Sequence, residues 1–504
     1  MHTFADPLIA GVRIAANRVA IIDGERRFTF RELRGRCEAL AGALCGLGLV
    51  KGDRVAILAA NSHVYVETYV AVPAAGFVVV PLNTRHAEPE LCYALEDSGA
   101  RVLITDRDPG SLAGVVERVI RIPEEFETLL ASATPGAIGK GVGENDLAGL
   151  FYTGGTTGKS KGVMLSHRNL IANTFHNLAT MPQDGDDVML PMAPMFHAAG
   201  SNTILATLWT GGCQVMLGAF DPGKALDLME RHAVTRTLGV PTMLAGIAEE
   251  QHARPRQTPA LRYIGHGGSP IATAVLRRVH SAFPMAELVE VYGATELSPL
   301  CSVLINEQAL LETPLARSCG RPIIGDRIEI LDLNGAQVAP GEIGEVVVSG
   351  PNVMLGYWNK PEQTAAVLRN GAYWTGDLGY MDADGYLFLV DRSKDMIVSG
   401  GENVYSTEVE DVLYGHPAVL EAAVFGVPDE KWGEAVWAVV VPRAEHWDVD
   451  PADILAFCRR QIAVYKVPKG IDLRAEPLPK SGPGKVLKRE LRAPFWAGRD
   501  RAVN

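Results

Sequence analysis

The sequence predicts an α/β protein: a large N-terminal domain of layered, mostly parallel sheets with helices, a small β-barrel-like subdomain, and a small α+β C-terminal domain. Three observations carry this reading. Between Val19 and Val291 short apolar strands alternate with helical patterns, the rhythm of parallel sheet with crossover helices. From Arg321 the helical pattern gives way to short strands separated by Asn334, Gly335, Pro340, Gly341 and Gly344. A charged, glycine-containing stretch, DRSKDMIVSGGEN, then opens at Asp391 and Arg392 and sets off a final segment of mixed pattern. The boundaries read as 1–391 for the N-terminal domain, with 321–390 as its β-rich part, and 392–504 for the C-terminal domain.

Taken in order, Val19–Asp23 and Arg27–Thr29 suggest a hairpin around Gly24. Thr29 and Glu32 form a capping-box pair, and Leu33, Cys37, Leu40, Leu44 and Leu47 recur at helical steps until Gly48. Val55–Ala59, Val78–Val80 and Val102–Thr105 read as buried strands, with helices from Val64 and over Leu91–Asp97 between them. Ala131–Asp146 is a loop, and Ser166 caps a helix containing Leu170–Leu178. Val188–Leu190, Cys213–Leu217 and Val234–Leu238 continue the strands, with a helix opened by Asp221 and Pro222. Leu261–Ile264 leads into GHGGSP, and Leu288–Val291 leads into YGATE. Arg327–Leu331, Glu345–Ser349 and Tyr386–Val390 are the strands of the β-rich part. Beyond Thr407 the pattern is helix (Glu408–Leu413), strands (Val419–Gly426 and Ala435–Val441), helix (Asp453–Gln461) and a glycine-rich basic tail around Lys480–Lys488.

Composition bounds the function. At 504 residues the chain can bury more than one core, and 47% apolar with 21% charged residues is the balance of a folded soluble protein. A net charge of −12 lacks the basic field that nucleic acid requires, so any polyanion must be held by local lysines and backbone N–H groups. Met1–Ile22 carries charges and no long apolar core, and the longest apolar run, Val70–Pro81, is about half a membrane span. Neither a targeting segment nor an integral membrane segment is expected. The seven cysteines contain no CxxC, which argues against structural zinc or a disulfide framework and fits a reducing, cytoplasmic setting.

The stretch with the most chemistry is FYTGGTTGKSKG, Phe151–Gly162. Four glycines, three threonines, a serine and two lysines within ten residues leave backbone N–H groups and hydroxyls able to converge on an anion. It is a phosphate loop without the Walker spacing, since Gly154 to Lys159 is one residue short of G-x-x-x-x-G-K.

TGGTTGKSKG (153–162), YGATE (292–296), TGD (375–377), DRSKDMIVSGGENVYSTEVE (391–410) and GPGK (482–485) occur together and in this order. In this the chain resembles the adenylate-forming superfamily of acyl-CoA and aryl-CoA synthetases, luciferases and peptide-synthetase adenylation domains. MIVSGGENVY and the later DEKWGE (429–434) lean towards the fatty-acyl and aryl-CoA ligase branches. Two departures stand out: Ser160 where the family usually has proline, and Pro483 before Gly484 and Lys485.

The resemblance implies an ATP-dependent acid:CoA ligase that works through an acyl-adenylate, with ATP, Mg²⁺ and coenzyme A. Lys485 would bridge carboxylate and α-phosphate. Thr153, Gly154, Gly155, Thr156, Thr157, Gly158 and Lys159 would hold the β and γ phosphates. Thr295 would reach the α-phosphate and Glu296 would be the magnesium ligand, a hard carboxylate for a hard cation. Gly267, Gly268, Ser269, Tyr292 and Gly293 would form the adenine slot, and Asp377 with Arg392 would hold the ribose. Asp391 would be the hinge of a mobile C-terminal domain, and the segment after it, with Lys394, Gly400, Gly401 and Glu402, would serve nucleotide and pantetheine. His197, in PMFHAAG, would gate the thiol channel. Ala199, Gly200, Thr203, Val240, His266 and Val291 are candidate lining positions of the acyl pocket, and none is an arginine that could pair with a second carboxylate. A monocarboxylic acid is therefore expected, fatty or aromatic. A carrier-protein phosphopantetheine as acceptor, a non-catalytic nucleotide-binding homologue and a homodimer remain open on sequence.

Overall fold

The computed structural model describes residues 2–153, 159–269, 271–392, 395–399, 402–429, 431–480 and 486–497. Gly154–Gly158, Lys394, Gly400, Gly401 and Lys485, all expected in the site, lie outside the described residues.

Four sheets form among the described residues. The first has nine strands, ordered Arg321–Pro322, Leu300–Leu304, Glu287–Gly293, Tyr263–Gly267, Arg236–Gly239, Val188–Pro191, Cys213–Val215, Val19–Asp23 and Arg26–Thr29. Its interior is parallel from Glu287–Gly293 across to Val19–Asp23, and its edges are antiparallel. The second has seven strands, ordered Gly356–Tyr357, Lys161–Ser166, Leu147–Thr153, Val78–Pro81, Arg54–Leu58, Ala100–Thr105 and Arg118–Arg121. Strands such as Val78–Pro81 are buried at every position, as parallel strands covered on both faces must be.

The helices between strands form where the sequence caps them. Thr29 accepts from Glu32 N while Glu32 reaches back to Thr29 N at 2.8 Å, the reciprocal box read in the sequence. Leu33, Cys37, Leu40 and Leu44 then line the buried stripe. Asp221 caps Pro222–Arg231 through Lys224 N at 2.8 Å, and Leu226 and Met229 of that helix join Ile264, Leu276 and Leu288 in a core under the nine-stranded sheet.

A third sheet of five strands covers the expected β-rich part: Arg327–Leu331, Gly344–Ser349, Ala372–Met381 and Leu368–Arg369 in order, with Leu387–Arg392 also paired to Ala372–Met381. The fourth is built on a long antiparallel pair, Val419–Asp429 with Gly433–Pro442, which Gly470–Leu473 joins in parallel. Both faces of that pair are covered, one by Val409, Leu413, Ile454 and Cys458, the other by Leu478, Leu491 and Phe495. The chain divides into two compact units, 1–328 with 348–374, and 329–347 with 375–504. No helix among the described residues is long and apolar enough to cross a membrane.

Candidate active site

The two legs of the phosphate loop are a β-hairpin. Leu147–Thr153 and Lys161–Ser166 run antiparallel, with Tyr152 opposite Gly162 and Thr153 opposite Lys161. The sequence reading placed helical structure after the loop, and this needs correction: a strand comes first, and the helix His167–Thr180, capped by Ser166 through Asn169 N at 3.2 Å, follows it. Tyr152 donates to Asp97 Oδ2 at 2.7 Å, Trp358 Nε1 donates to Asp97 O at 3.0 Å, and Lys159 Nζ rests 4.7 Å from the centre of the Tyr93 ring. The loop lysine is thus held beside the legs by an aromatic face, an attraction that a phosphate can outbid.

A short segment, Met354–Trp358, ties the loop strand to Glu296. Met354 N donates to Glu296 O at 2.8 Å, Leu355 N to Met164 O at 2.9 Å and Trp358 N to Gly162 O at 2.8 Å. Tyr357 donates its hydroxyl to Glu296 Oε1 at 2.8 Å, and Lys161 Nζ lies 4.6 Å from the centre of the Tyr357 ring. Burial, reinforced by the Glu296 carboxylate, pushes the Tyr357 phenol far above its ordinary range, so it stays a donor. This fixes one carboxylate oxygen of Glu296 beside the leg that carries Lys161. The carboxylate, a hard oxygen ligand, is of the donor type that Mg²⁺ takes.

Buried asparagines hold the backbone that follows Thr295 and Glu296. Asn352 Nδ2 donates to Leu297 O at 2.9 Å, to Leu300 O at 3.0 Å and to Asp326 Oδ2 at 2.8 Å. Asn173 Nδ2 reaches Leu300 O at 2.7 Å, and Asn202 Nδ2 donates to Asn173 Oδ1 at 3.0 Å. Ser298 sits at φ +67° and donates its hydroxyl to Asn352 O at 2.7 Å. Tyr357, Asn352, Asn173 and Asn202 were not singled out from sequence. The signal available was Asn169, Asn173 and Asn177 recurring every fourth residue on one helix face, a polar stripe where an apolar one belongs.

Gly267 and Gly293 lie at the carboxyl ends of adjacent parallel strands, where open α/β sheets bind ligands. A Cβ on Gly267 would stand 2.2 Å from Val291 O, and one on Gly293 would stand 1.9 Å from Pro299 O. Neither position tolerates a side chain, so the backbone itself can approach a flat base. Gly268 has φ +82°, while Ser269 and Tyr292 are half-buried beside it.

His197 is the N-cap of the helix Ala198–Thr210, with its ring 4.3 Å from that of Phe196. Asn61 fixes the stretch before it, accepting from Met195 N at 2.8 Å and donating to Ala193 O at 3.1 Å. A Cβ on Gly200 would stand 2.5 Å from Pro194 O. Thr203 is buried, with its hydroxyl on Gly200 O at 2.7 Å. His266, a candidate lining position, is paired inside the fold. On an alternating strand it shares the core face with Ile264, fully buried, and its Nε2 is 2.6 Å from Glu307 Oε2. Gly265 and Gly267 occupy the other face.

In the second unit Asp377 and Arg392 are cross-strand partners. Thr375 Oγ1 donates to Val346 O at 2.8 Å and accepts from Asp377 N at 3.0 Å, which holds the turn of TGD. Asp391 is buried and accepts from Ser406 N at 2.6 Å. Glu402 is exposed at the start of a short strand paired with Ile397–Ser399, whose last residue, Val404, is buried.

The family model for the AMP-binding enzyme matches residues 11–358, and that for the AMP-binding enzyme C-terminal domain matches 408–485. The chain belongs to the AMP-binding enzyme family. As an AMP-binding enzyme it carries the adenylate-forming chemistry of acid:CoA ligases, with an acyl-adenylate as intermediate. It is 42% identical over 486 residues to feruloyl-CoA synthases of Amycolatopsis sp and Streptomyces sp, covering 96% of this chain and 97% of theirs. It is 35% identical to the fatty acid–[acyl-carrier-protein] ligase ScoC of Streptomyces coeruleorubidus, over 96% of this chain and 95% of that one. Among solved structures, o-succinylbenzoate CoA synthetase (MenE) of Bacillus subtilis with its acyl-adenylate OSB-AMP superposes with a TM-score of 0.88 at 32% identity, covering 97% of this chain and 98% of that one.

Proposed function

We propose that this enzyme activates an aromatic monocarboxylic acid of the hydroxycinnamate kind and passes it to free coenzyme A. The observation that carries the choice of acid is the 42% identity to feruloyl-CoA synthases over nearly the full length of both chains, against 35% and 34% for relatives that act on fatty acids. The lining candidates agree with it: Ala199, Gly200, Val240 and Val291 are small or apolar, and none could pair with a second carboxylate.

In the first half-reaction a carboxylate oxygen of the acid attacks the α-phosphorus of ATP, and the bond to pyrophosphate breaks. The roles follow the site. Thr153 and Lys159 take the outer phosphates, Thr295 the α-phosphate, and Gly267, Gly293 and Tyr292 the adenine. Asp377 and Arg392 take the ribose, and Lys485 neutralises the charge developing between carboxylate and α-phosphate. Mg²⁺ would be held by Glu296, whose other oxygen Tyr357 engages, and would neutralise phosphate charge. In the second half-reaction the thiol attacks the acyl carbon beside His197, the bond to AMP breaks, and the thiol proton leaves to solvent.

Free coenzyme A is favoured as acceptor by a surface in the second unit. Trp432 is 40% exposed, with Lys431 Nζ 4.6 Å and Lys469 Nζ 6.0 Å from its ring. An open indole between two ammonium groups suits a phosphorylated nucleotide, which coenzyme A carries and a carrier's phosphopantetheine arm lacks. Trp432→Ala is therefore expected to raise the KM for coenzyme A by roughly tenfold, the worth of one base stack, and to leave transfer to free pantetheine unchanged. For the acid, kcat/KM is to be compared across ferulate, 4-coumarate, decanoate and palmitate. Preference for the aromatic acids by about tenfold or more is the expected result. Preference for the aliphatic acids would overturn the assignment.

A further inference from the structure

Asp326 is a buried acid that the two half-reactions do not use. It closes a turn, donating its N–H to Ile323 O at 3.1 Å, and its side chain is fully buried. One carboxyl oxygen, Oδ2, accepts from Asn352 Nδ2 at 2.8 Å. The other, Oδ1, has no hydrogen-bond partner, and neither has the buried Oδ1 of Asn352. These two oxygens crowd one point: a Cβ on Gly350 would stand 2.3 Å from Asp326 Oδ1 and 2.5 Å from Asn352 Oδ1. Only a glycine at 350 leaves them room.

Two acceptor oxygens brought together in a dry site repel, and a buried polar atom without a hydrogen bond costs about 1–3 kcal/mol. One proton on Asp326 Oδ1 removes both penalties. The carboxyl then donates to Asn352 Oδ1 while it accepts from Asn352 Nδ2, and acid and amide close a ring of two hydrogen bonds. The surroundings favour that proton. From the helix His167–Thr180 the group facing Asp326 is His176, whose Nδ1 lies 3.5 Å from Oδ1. Burial lowers the His176 pKa below its ordinary value, so at neutral pH the imidazole is uncharged. No lysine or arginine among the described residues pairs with Asp326, and burial pushes its carboxyl up to about 7 against the opposing hydrogen bond from Asn352.

Asn352 carries this state to the site. With one N–H in the ring, the other is left for Leu297 O at 2.9 Å and Leu300 O at 3.0 Å. Leu297 ends the short helical turn Thr295–Leu297, so its carbonyl fixes the segment that bears Thr295 and Glu296. We propose that Asp326, held as a neutral carboxylic acid, is a positioning residue that pairs with Asn352 and aims its amide at the turn bearing Thr295 and Glu296. When the proton leaves to solvent, carboxylate Oδ1 faces Asn352 Oδ1, the amide turns away, and the turn loosens. The proposal rests on the reading of Thr295 and Glu296 as the groups that meet the α-phosphate and Mg²⁺.

The test compares full-length wild type, Asp326→Asn, Asn352→Ala and the doubly substituted enzyme from about pH 6 to about pH 8.5, on both sides of the Asp326 titration. Difference infrared spectra of wild type against Asp326→Asn should show the carbonyl band of a protonated carboxylic acid at the acid end, fading towards the alkaline end. Isothermal titration should find the wild-type Kd for ATP with Mg²⁺ rising by roughly tenfold relative to Asp326→Asn over this range, the order of one hydrogen bond. The substituted amide keeps the ring at every pH, and the ratio cancels the titration of ATP itself. In the Asn352→Ala background the Asp326 substitution should change nothing. Absence of the acid band, a flat ratio, or the same step in the Asn352→Ala background would each overturn the proposal. If Asp326→Asn does not fold, wild type against Asn352→Ala decides: their Kd values should differ at the acid end and converge at the alkaline end, and a constant difference would overturn it. Thr295→Val and Glu296→Gln enzymes that bind ATP with Mg²⁺ as wild type does would instead overturn the underlying reading of the turn, and the proposal with it.

Discussion

Tyr357 and Gly267 show how single residues set the site. Tyr357→Phe removes the hydroxyl that orients Glu296 and nothing else. The Mg²⁺ concentration for half-maximal pyrophosphate exchange should rise by roughly tenfold, the order of one hydrogen bond to a charged acceptor. An unchanged Mg²⁺ titration would remove Glu296 from the metal site. Gly267→Ala sets a methyl against Val291 O, a contact costing about 1–3 kcal/mol that must be relieved by moving the strand end. ATP binding should weaken while the acid's KM holds, as isothermal titration with ATP would show. Gly267 and Glu296 could be singled out in the sequence because the motifs that contain them are local runs of residues. Tyr357 was not, because its partner is 61 positions away and only the fold joins them. The pairing of His266 with Glu307 was illegible for a related reason: the two are 41 positions apart and meet only in the fold.

At the scale of elements, the helix His167–Thr180 joins the phosphate hairpin to the Glu296 turn. Its residue Asn169 donates to Pro351 O and Val353 O, both at 2.8 Å, and Asn173 holds Leu300 O. Asn352→Ala, which deletes the opposing donor to the same turn, should destabilise the protein by about 2 kcal/mol and lower exchange activity, measurable together by urea denaturation and assay. The helix also brings a pH dependence. His167 accepts from Phe4 N at 3.2 Å, and burial lowers its pKa to about 4. A folded-state pKa below the unfolded value of 6.5 means that stability is fully present above pH 6.5 and is lost as pH falls towards 4. Between pH 7.5 and 5 the loss should be about 2 kcal/mol, and His167→Gln should flatten it in urea titrations at the two pH values. The cap at Ser166 was readable because capping is local. The strand Lys161–Ser166 before it was not read, because its six residues follow a loop whose composition dominates the window.

At the scale of the whole molecule, the parallel strands from Val55 to Val291 were legible, since strands buried on both faces print as apolar runs, whereas helices such as Pro241–Ala253 and Thr273–Ala282 between them were not read. The antiparallel additions at Lys161–Ser166 and Gly356–Tyr357 were less legible, although they place Tyr357 and the loop legs together. Chemistry is distributed over both compact units. The glycine-walled strand ends, Glu296 and the strands that flank the phosphate loop belong to the first, and Asp377 and Trp432 to the second. Such a chain should make AMP, not ADP, and should need an acceptor only for its second step. The most direct test supplies purified enzyme with ATP, Mg²⁺ and ferulate, with and without free coenzyme A, and follows AMP, pyrophosphate and thioester. AMP and pyrophosphate appearing with feruloyl-CoA, and turnover stalling at enzyme-bound feruloyl-AMP when coenzyme A is withheld, is the predicted result. Release of ADP, or an adenylate that passes to a carrier protein's phosphopantetheine but never to coenzyme A, would contradict it.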